Sequence, residues 1–205
     1  LIFNELLFGV AESQSGLGLA YSNYHDCMLV KDKLFRRYIT HEQIEGRIAE
    51  LGRQICQDYQ GQNPLFVAVL NGAFMFAADL MREVDIISEI TFVKFTSYHN
   101  MLSSGMVDQI IGFEKDLRDR HVVLVEDIVD TGITMTEIMA EIRTYQPASV
   151  EIVALLTKPE ALQRDVKVKY AGFEIANQFV VGYGLDYDGY GRNLRDIYVL
   201  DEPAA

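Results

Sequence analysis

The chain has 205 residues, 49% of them hydrophobic, which suits one domain with a core large enough to need no covalent staples. Its 30 acids and 18 bases leave a formal net charge of −12, which argues against nucleic acid or an anionic membrane as partner, because neither attracts an acidic surface. Two isolated cysteines, Cys27 and Cys56, give no disulfide framework and fit a reducing cytoplasm, and no apolar run is long enough to span a bilayer.

Residues 1–28 have no clear period, carry Ser and Gly, and do not begin with Met. They are expected to be a leader or extension, with 29–205 as a single domain. The basic stretch KDKLFRRYIT then runs into a helix start, where Thr40 and Gln43 have capping-box spacing. Ile44, Ile48, Leu51 and Ile55 recur on one face, which predicts an amphipathic helix of about five turns at most. Lys33, Arg36 and Arg37 read as solvated charges in preference to phosphate ligands.

After Pro64, LFVAVLN (65–71) reads as a buried strand, and Gly72 opens a helix carrying Phe74, Met75, Leu80 and Met81. A strand that runs through a glycine into a helix N-terminus is a candidate anion site. From Ile90 the pattern alternates, with Ile90, Phe92 and Lys94 against Thr91, Val93 and Phe95, as in a half-buried strand or hairpin. The stretch HNMLSSGMVDQIIGFEKDLRDR is polar and aperiodic, which marks a functional or mobile loop, with QIIGFEKDL as a surface hairpin inside it. His25, His41, His99 and His121 lack metal-ligand spacing and read as surface or turn residues.

Residues 121–136, HVVLVEDIVDTGITMT, are the most informative. Val122 to Val125 form an apolar run, Glu126 and Asp127 follow, and Asp130-Thr131-Gly132-Ile133-Thr134 makes a polar turn. Met135, Ile138, Met139 and Ile142 then repeat with a helical period. The order is strand, acidic pair, tight turn, helix. The helix N-terminus offers unpaired amides and the positive end of its dipole to a phosphate, Thr131 and Thr134 add hydroxyls, and Gly132 permits close approach. The acids would repel that phosphate unless a magnesium ion or sugar hydroxyls lay between. Together these features describe a site for a ribose 5-phosphate. Pro147 ends the helix, and VEIVALLT (150–157) is another buried strand, finishing at Lys158. A lysine there points into the ligand crevice of an open α/β sheet. YAGFEI and FVVGYGLD read as two short strands, and the tail ends in a last apolar strand. Strands alternating with helices predict an α/β fold with a doubly wound, mostly parallel sheet.

VVLVEDIVDTGITMT resembles the phosphoribosyl-pyrophosphate (PRPP) motif of the type I phosphoribosyltransferases, and FEIANQFVVGYGLDYDGYGRNLRDIYVL is similar to the C-terminal signature of their hypoxanthine-guanine branch. The resemblance implies a small hood built from the chain ends and a flexible active-site loop, whose Ser-Tyr pair corresponds to Ser97 and Tyr98. It places the pyrophosphate loop at Asn71 and Gly72, where the family usually has Leu-Lys-Gly with an often cis peptide. Here Asn71 lacks the lysine charge, so contact there falls to backbone amides and a side-chain amide. The 5-phosphate falls to Thr131, Gly132, Ile133 and Thr134, and the ribose hydroxyls to Glu126 and Asp127, with magnesium. Asp130 is implied as general base, Lys158 as donor to a 6-oxo group, and Phe179 as the ring stacked on the purine. Val180 and Asp186 meet the purine edges through their backbone, Asp186 also helps place magnesium, and Arg192 contacts pyrophosphate. The implied substrates are PRPP with hypoxanthine and guanine, the products IMP or GMP and pyrophosphate, and the assembly a homodimer or homotetramer. A xanthine-preferring enzyme and a non-catalytic PRPP- or nucleotide-binding regulator of the same fold are the alternatives.

Overall fold

The computed structural model describes residues 26–96, 108–113 and 115–201. The chain enters as a hairpin, β1 (Cys27–Val30) paired antiparallel with β2 (Lys33–Ile39). The stretch ahead of the first helix is therefore a strand, not a simple lead-in, and β1 starts within the segment expected as a leader. The reason is alternation: Phe35 and Ile39 turn inward, while Leu34 and Arg36 turn out. Arg37 pairs with Asp26 at 3.0 Å and Asp196 at 3.4 Å, and Lys33 lies over the Tyr187 ring. Arg36 stands 3.8 Å from Asp201. These bases stand against local acids and a ring.

Helix α1 (His41–Asp58) starts in the expected capping box: Thr40 Oγ1 accepts from Gln43 N, and Gln43 Oε1 accepts from Thr40 N. Its stripe of Ile44, Ile48, Leu51 and Ile55 is fully buried. Strand β3 (Leu65–Leu70) leads into α2 (Phe74–Glu83), which buries Phe76, Ala77 and Leu80, while Phe74 stays largely exposed. β4 (Glu89–Thr96) follows, and β5 (Asp108–Ile111) pairs antiparallel with it. The expected QIIGFEKDL hairpin is thus half of a hairpin made with β4. Then come β6 (His121–Val129), α3 (Ile133–Thr144), β7 (Ser149–Thr157) and β8 (Tyr170–Glu174).

The core sheet has the order β5-β4-β3-β6-β7-β8, with all neighbours parallel except β5. Its central strands are apolar on both faces because both are covered. Phe66, Ala68, Val123 and Val125 pack under α1 and α2, and Leu65, Val67, Val122 and Leu124 pack under α3. A second, antiparallel sheet joins the chain ends: β1, β2, β10 (Ile197–Leu200) and β9 (Val180–Val181). This is the expected hood. FVVGYGLD contributes only β9 to it, because Gly182, Tyr183 and Gly184 all take positive φ (102°, 49° and 99°), which breaks extended pairing.

Candidate active site

In this sheet β3 and β6 lie side by side, yet the chain leaves β3 toward β4 and β6 toward β7. That switch point opens a crevice at the carboxyl ends of the strands, where open α/β sheets hold ligands. β6 is longer than its apolar run and carries Glu126 and Asp127 inside its last turn-ward residues. Alternation along the strand sends the two acids to opposite faces. Asp127 meets the turn before α2: a Cβ on Gly72 would lie 1.6 Å from its Oδ2. Glu126 lines a cleft of about 110 Å³ with Ile128, Val129, Asp130, Thr131, Gly132, Thr134 and Met135.

The turn after β6 has the form an anion site needs. Gly132, the N-cap of α3, sits at φ 76° and brings no capping side chain, and of the first amides Ile133 N makes only a long bond, 3.4 Å, to Thr131 Oγ1. The α3 start is pinned by Thr136, whose hydroxyl donates to Gly132 O at 2.9 Å. From behind, Gln163 N donates to Thr131 O at 2.9 Å, while Leu162 and Val166 pack under Gly132. Sequence reasoning missed this backing loop, since nothing in its polar, Pro-led sequence marks it as a partner of the turn.

Lys158 follows β7 and is 6% exposed; its Nζ lies 2.8 Å from Asp130 Oδ2. The two are brought together because Lys158 N donates to Val129 O at 3.0 Å, extending the β6–β7 pairing by one step. On the hood side, Phe179 keeps 43% of its surface exposed, and its ring is edge-on to Tyr187 and tilted against Phe35. Val180 is buried in β9. Asp186 accepts from Gly189 N at 2.6 Å and pairs with Arg192 at 2.6 Å. Arg192 also donates to Gly184 O at 2.7 Å, so its guanidinium braces the hood loop. Asn71 is exposed, and the Leu70–Asn71 peptide is cis, as the resemblance implies. Ser97 and Tyr98 lie outside the described residues.

The acids are set in an environment that resists their charge. Loss of hydration raises Glu126 well above the usual carboxylate range, and the neighbouring Asp127 raises it further. Asp127 is pushed up to about 6, chiefly by loss of hydration, although the Ile128 amide and the Arg192 charge oppose the rise. Among the described residues, Glu126 Oε2 is sealed from solvent and meets no hydrogen-bond partner. A buried carboxylate oxygen left in this state is costly unless something binds it. Among the described residues no group of three or more His, Cys, Asp or Glu gathers as a metal cage. The donor set instead fits a hard cation that takes one or two protein carboxylates and completes its shell with water and substrate oxygens, the habit of magnesium.

Residues 37–188 match the model of the phosphoribosyl transferase domain family. The chain is 41% identical over 170 residues to the hypoxanthine-guanine phosphoribosyltransferase of Mycobacterium tuberculosis H37Rv, covering 80% of this chain and 84% of that one. It is 38% identical to the enzyme of the same name from Bacillus subtilis 168, covering 84% and 96%. A solved hypoxanthine phosphoribosyltransferase from Staphylococcus aureus superposes with a TM-score of 0.78 at 38% identity, covering 81% of this chain and 91% of that one. The parallel sheet, the glycine turn between β6 and α3 and these similarities agree: the chain belongs to the phosphoribosyltransferase family, within its hypoxanthine-guanine branch.

Proposed function

We propose that this chain is a purine salvage enzyme that moves the phosphoribosyl group of PRPP onto hypoxanthine and guanine, releasing pyrophosphate and forming IMP or GMP. The observation that carries this reading is the Lys158–Asp130 pair, with its buried cation, beside an anion turn. Lys158 donates to the 6-oxo group, which an amino group would not accept. With adenine the buried ammonium, still paired to Asp130, would face a second donor in place of an acceptor, a mismatch of about 1–3 kcal/mol that favours oxo-purines. Phe179 offers its exposed ring to the purine face, and the Val180 and Asp186 backbone meets the ring edges.

The 5-phosphate rests on the amides and hydroxyls of Thr131, Gly132, Ile133 and Thr134. The Asn71–Gly72 turn receives the pyrophosphate, with Arg192 near it. The bond from the ribose carbon to pyrophosphate breaks, and a bond from that carbon to a purine ring nitrogen forms. The ring proton passes to Asp130, a general-base contribution of about a hundredfold to ten-thousandfold. Glu126 and Asp127 hold the ribose hydroxyls and set a negative potential beside the cation-like carbon. Magnesium, held by one or two of the carboxylates Glu126, Asp127 and Asp186 and otherwise by water and substrate oxygens, would neutralise the leaving pyrophosphate. As parts of the same reading, residues 29–205 act as one domain in a homodimer or homotetramer. The free thiols Cys27 and Cys56 support a cytoplasmic setting, and no helix among the described residues is long and apolar enough to cross a membrane. An assay of PRPP and magnesium with hypoxanthine, guanine, xanthine and adenine in turn tests the reading. Pyrophosphate release with the first two is expected. Release with xanthine alone would favour the xanthine enzyme, and none with any base would favour a regulator.

A further inference from the structure

Tyr183 is 2% exposed, yet it sits in the hood loop between two glycines and far in sequence from its partner. Its hydroxyl donates to Oδ2 of Asp79, in the middle of α2. The other Asp79 oxygen is held by Arg82 at 2.5 Å, so the acceptor is itself fixed. Burial and the Asp79 acceptor push the phenol above its usual range, so it remains a neutral donor. α2 continues directly from the Asn71–Gly72 turn, so this bond ties the helix behind the turn to the loop that carries Asp186.

The same two segments touch at a second point. Gly184 lies at φ 99°, and a Cβ there would stand 2.1 Å from Gly72 O. Gly72 in turn packs on Asp127 of β6. The hood loop has separate anchors of its own: Tyr183 N donates to Leu194 O and Gly184 N to Arg192 O, both at 2.9 Å. The 5-phosphate turn stands on β6 and α3, and the diphosphate turn touches β6 only upstream of it, at Asp127. Removing the Tyr183 hydroxyl therefore frees α2 and its leading turn while leaving the hood loop and the phosphate turn in place.

We infer that Tyr183 and Asp79 are positioning residues: their hydrogen bond sets the Asn71–Gly72 turn in register with Gly184 and Asp127, and so governs binding of the diphosphate portion of the substrate. This rests on the assignment of that turn to pyrophosphate. The geometry gives the bond a selective effect, on the diphosphate and not on the base or the 5-phosphate.

The test is Tyr183→Phe, which keeps the ring that fills the core and removes only the donor, assayed in both directions. Loss of one hydrogen bond to a charged acceptor should raise KM for pyrophosphate and for PRPP about tenfold, with KM for IMP and hypoxanthine changed less than about twofold. Asp79→Asn, with Tyr183 intact, keeps an acceptor for the phenol and should leave pyrophosphate KM within about threefold of wild type. Thermal melting of each variant separates a loosened turn from a damaged fold. An unchanged pyrophosphate KM in Tyr183→Phe would overturn the inference, as would a rise in IMP KM in step with it. Titration of the wild-type protein with IMP and with magnesium pyrophosphate reports the site assignment separately. Saturation by both with no effect of Tyr183→Phe sinks the positioning role alone, whereas failure of wild type to bind either sinks the site reading and this inference with it.

Discussion

Replacing Gly72 by alanine should disable the enzyme while leaving it folded. A Cβ at that position lies 1.6 Å from Asp127 Oδ2 and 2.4 Å from its Cγ, where ordinary contact begins near 3.4 Å. Something must move by roughly 2 Å, and a misplacement of about 1 Å is enough to cost about a hundredfold in rate. The carboxylate cannot simply swing aside, because Asp127 Oδ1 accepts from the Ile128 amide at 2.8 Å. The turn cannot back away, because its carbonyl rests on Gly184. Either displacement disturbs the Asn71–Gly72 turn proposed to receive the diphosphate or the acid proposed to hold the ribose, so kcat/KM for PRPP should fall at least about a hundredfold. The overpacking itself should lower stability by about 1–3 kcal/mol, which a domain of this size tolerates. Steady-state kinetics with hypoxanthine, alongside urea unfolding, measures both. A folded Gly72→Ala variant with kcat/KM within about fivefold of wild type would refute the claim that this close approach shapes the site.

Three further outcomes follow from the same geometry. Asp130→Asn should reduce kcat by about a hundredfold or more with PRPP affinity retained, and equal loss of both in titration and turnover would remove Asp130 from the base role. Lys158→Met should raise KM for hypoxanthine about tenfold or more and narrow the preference over adenine, which competition assays between the two bases measure. For the ligand-free protein in chelator, the sign of the Asp127 shift sets the pH dependence. Its folded value, about 6, lies above the ordinary 3.8, so the folded state binds the extra proton. The destabilisation it causes is absent below about pH 4 and complete above about pH 6. Asp127→Asn should therefore be more stable than wild type at pH 7.5, by up to about 3 kcal/mol, with the advantage shrinking toward pH 4. Urea unfolding of both proteins at the two pH values checks this, and a difference that does not change with pH would contradict it.

The parts of this site read most easily from sequence are those whose chemistry is local. The order of apolar run, acids, Gly turn and 3.6-residue repeat from 121 to 144 describes β6 and α3 because each signal lies within a few residues of the next. The Thr40–Gln43 capping box is legible for the same reason. Lys158 was readable as a crevice residue from its place after a buried strand, but its pairing with Asp130 depends on β6 and β7 being neighbours. The hood was harder. β1 and β2 are short, leave Leu29 and Leu34 exposed and carry several bases, so their alternation is faint. FVVGYGLD looks like a strand by composition, but its glycines are used for positive φ, which hydrophobicity does not reveal. The contact between Tyr183 and Asp79 spans 104 positions and could not be read from either residue's surroundings in sequence.

The central claim is that one turn and two neighbouring acids hold a single phosphorylated pentose. The most direct test is a crystal structure of the protein with IMP and magnesium pyrophosphate bound. The 5-phosphate is expected on the amides of residues 131–134, the ribose hydroxyls against Glu126 and Asp127, and the purine oxygen on Lys158. Nucleotide density elsewhere, with that turn empty, would contradict it.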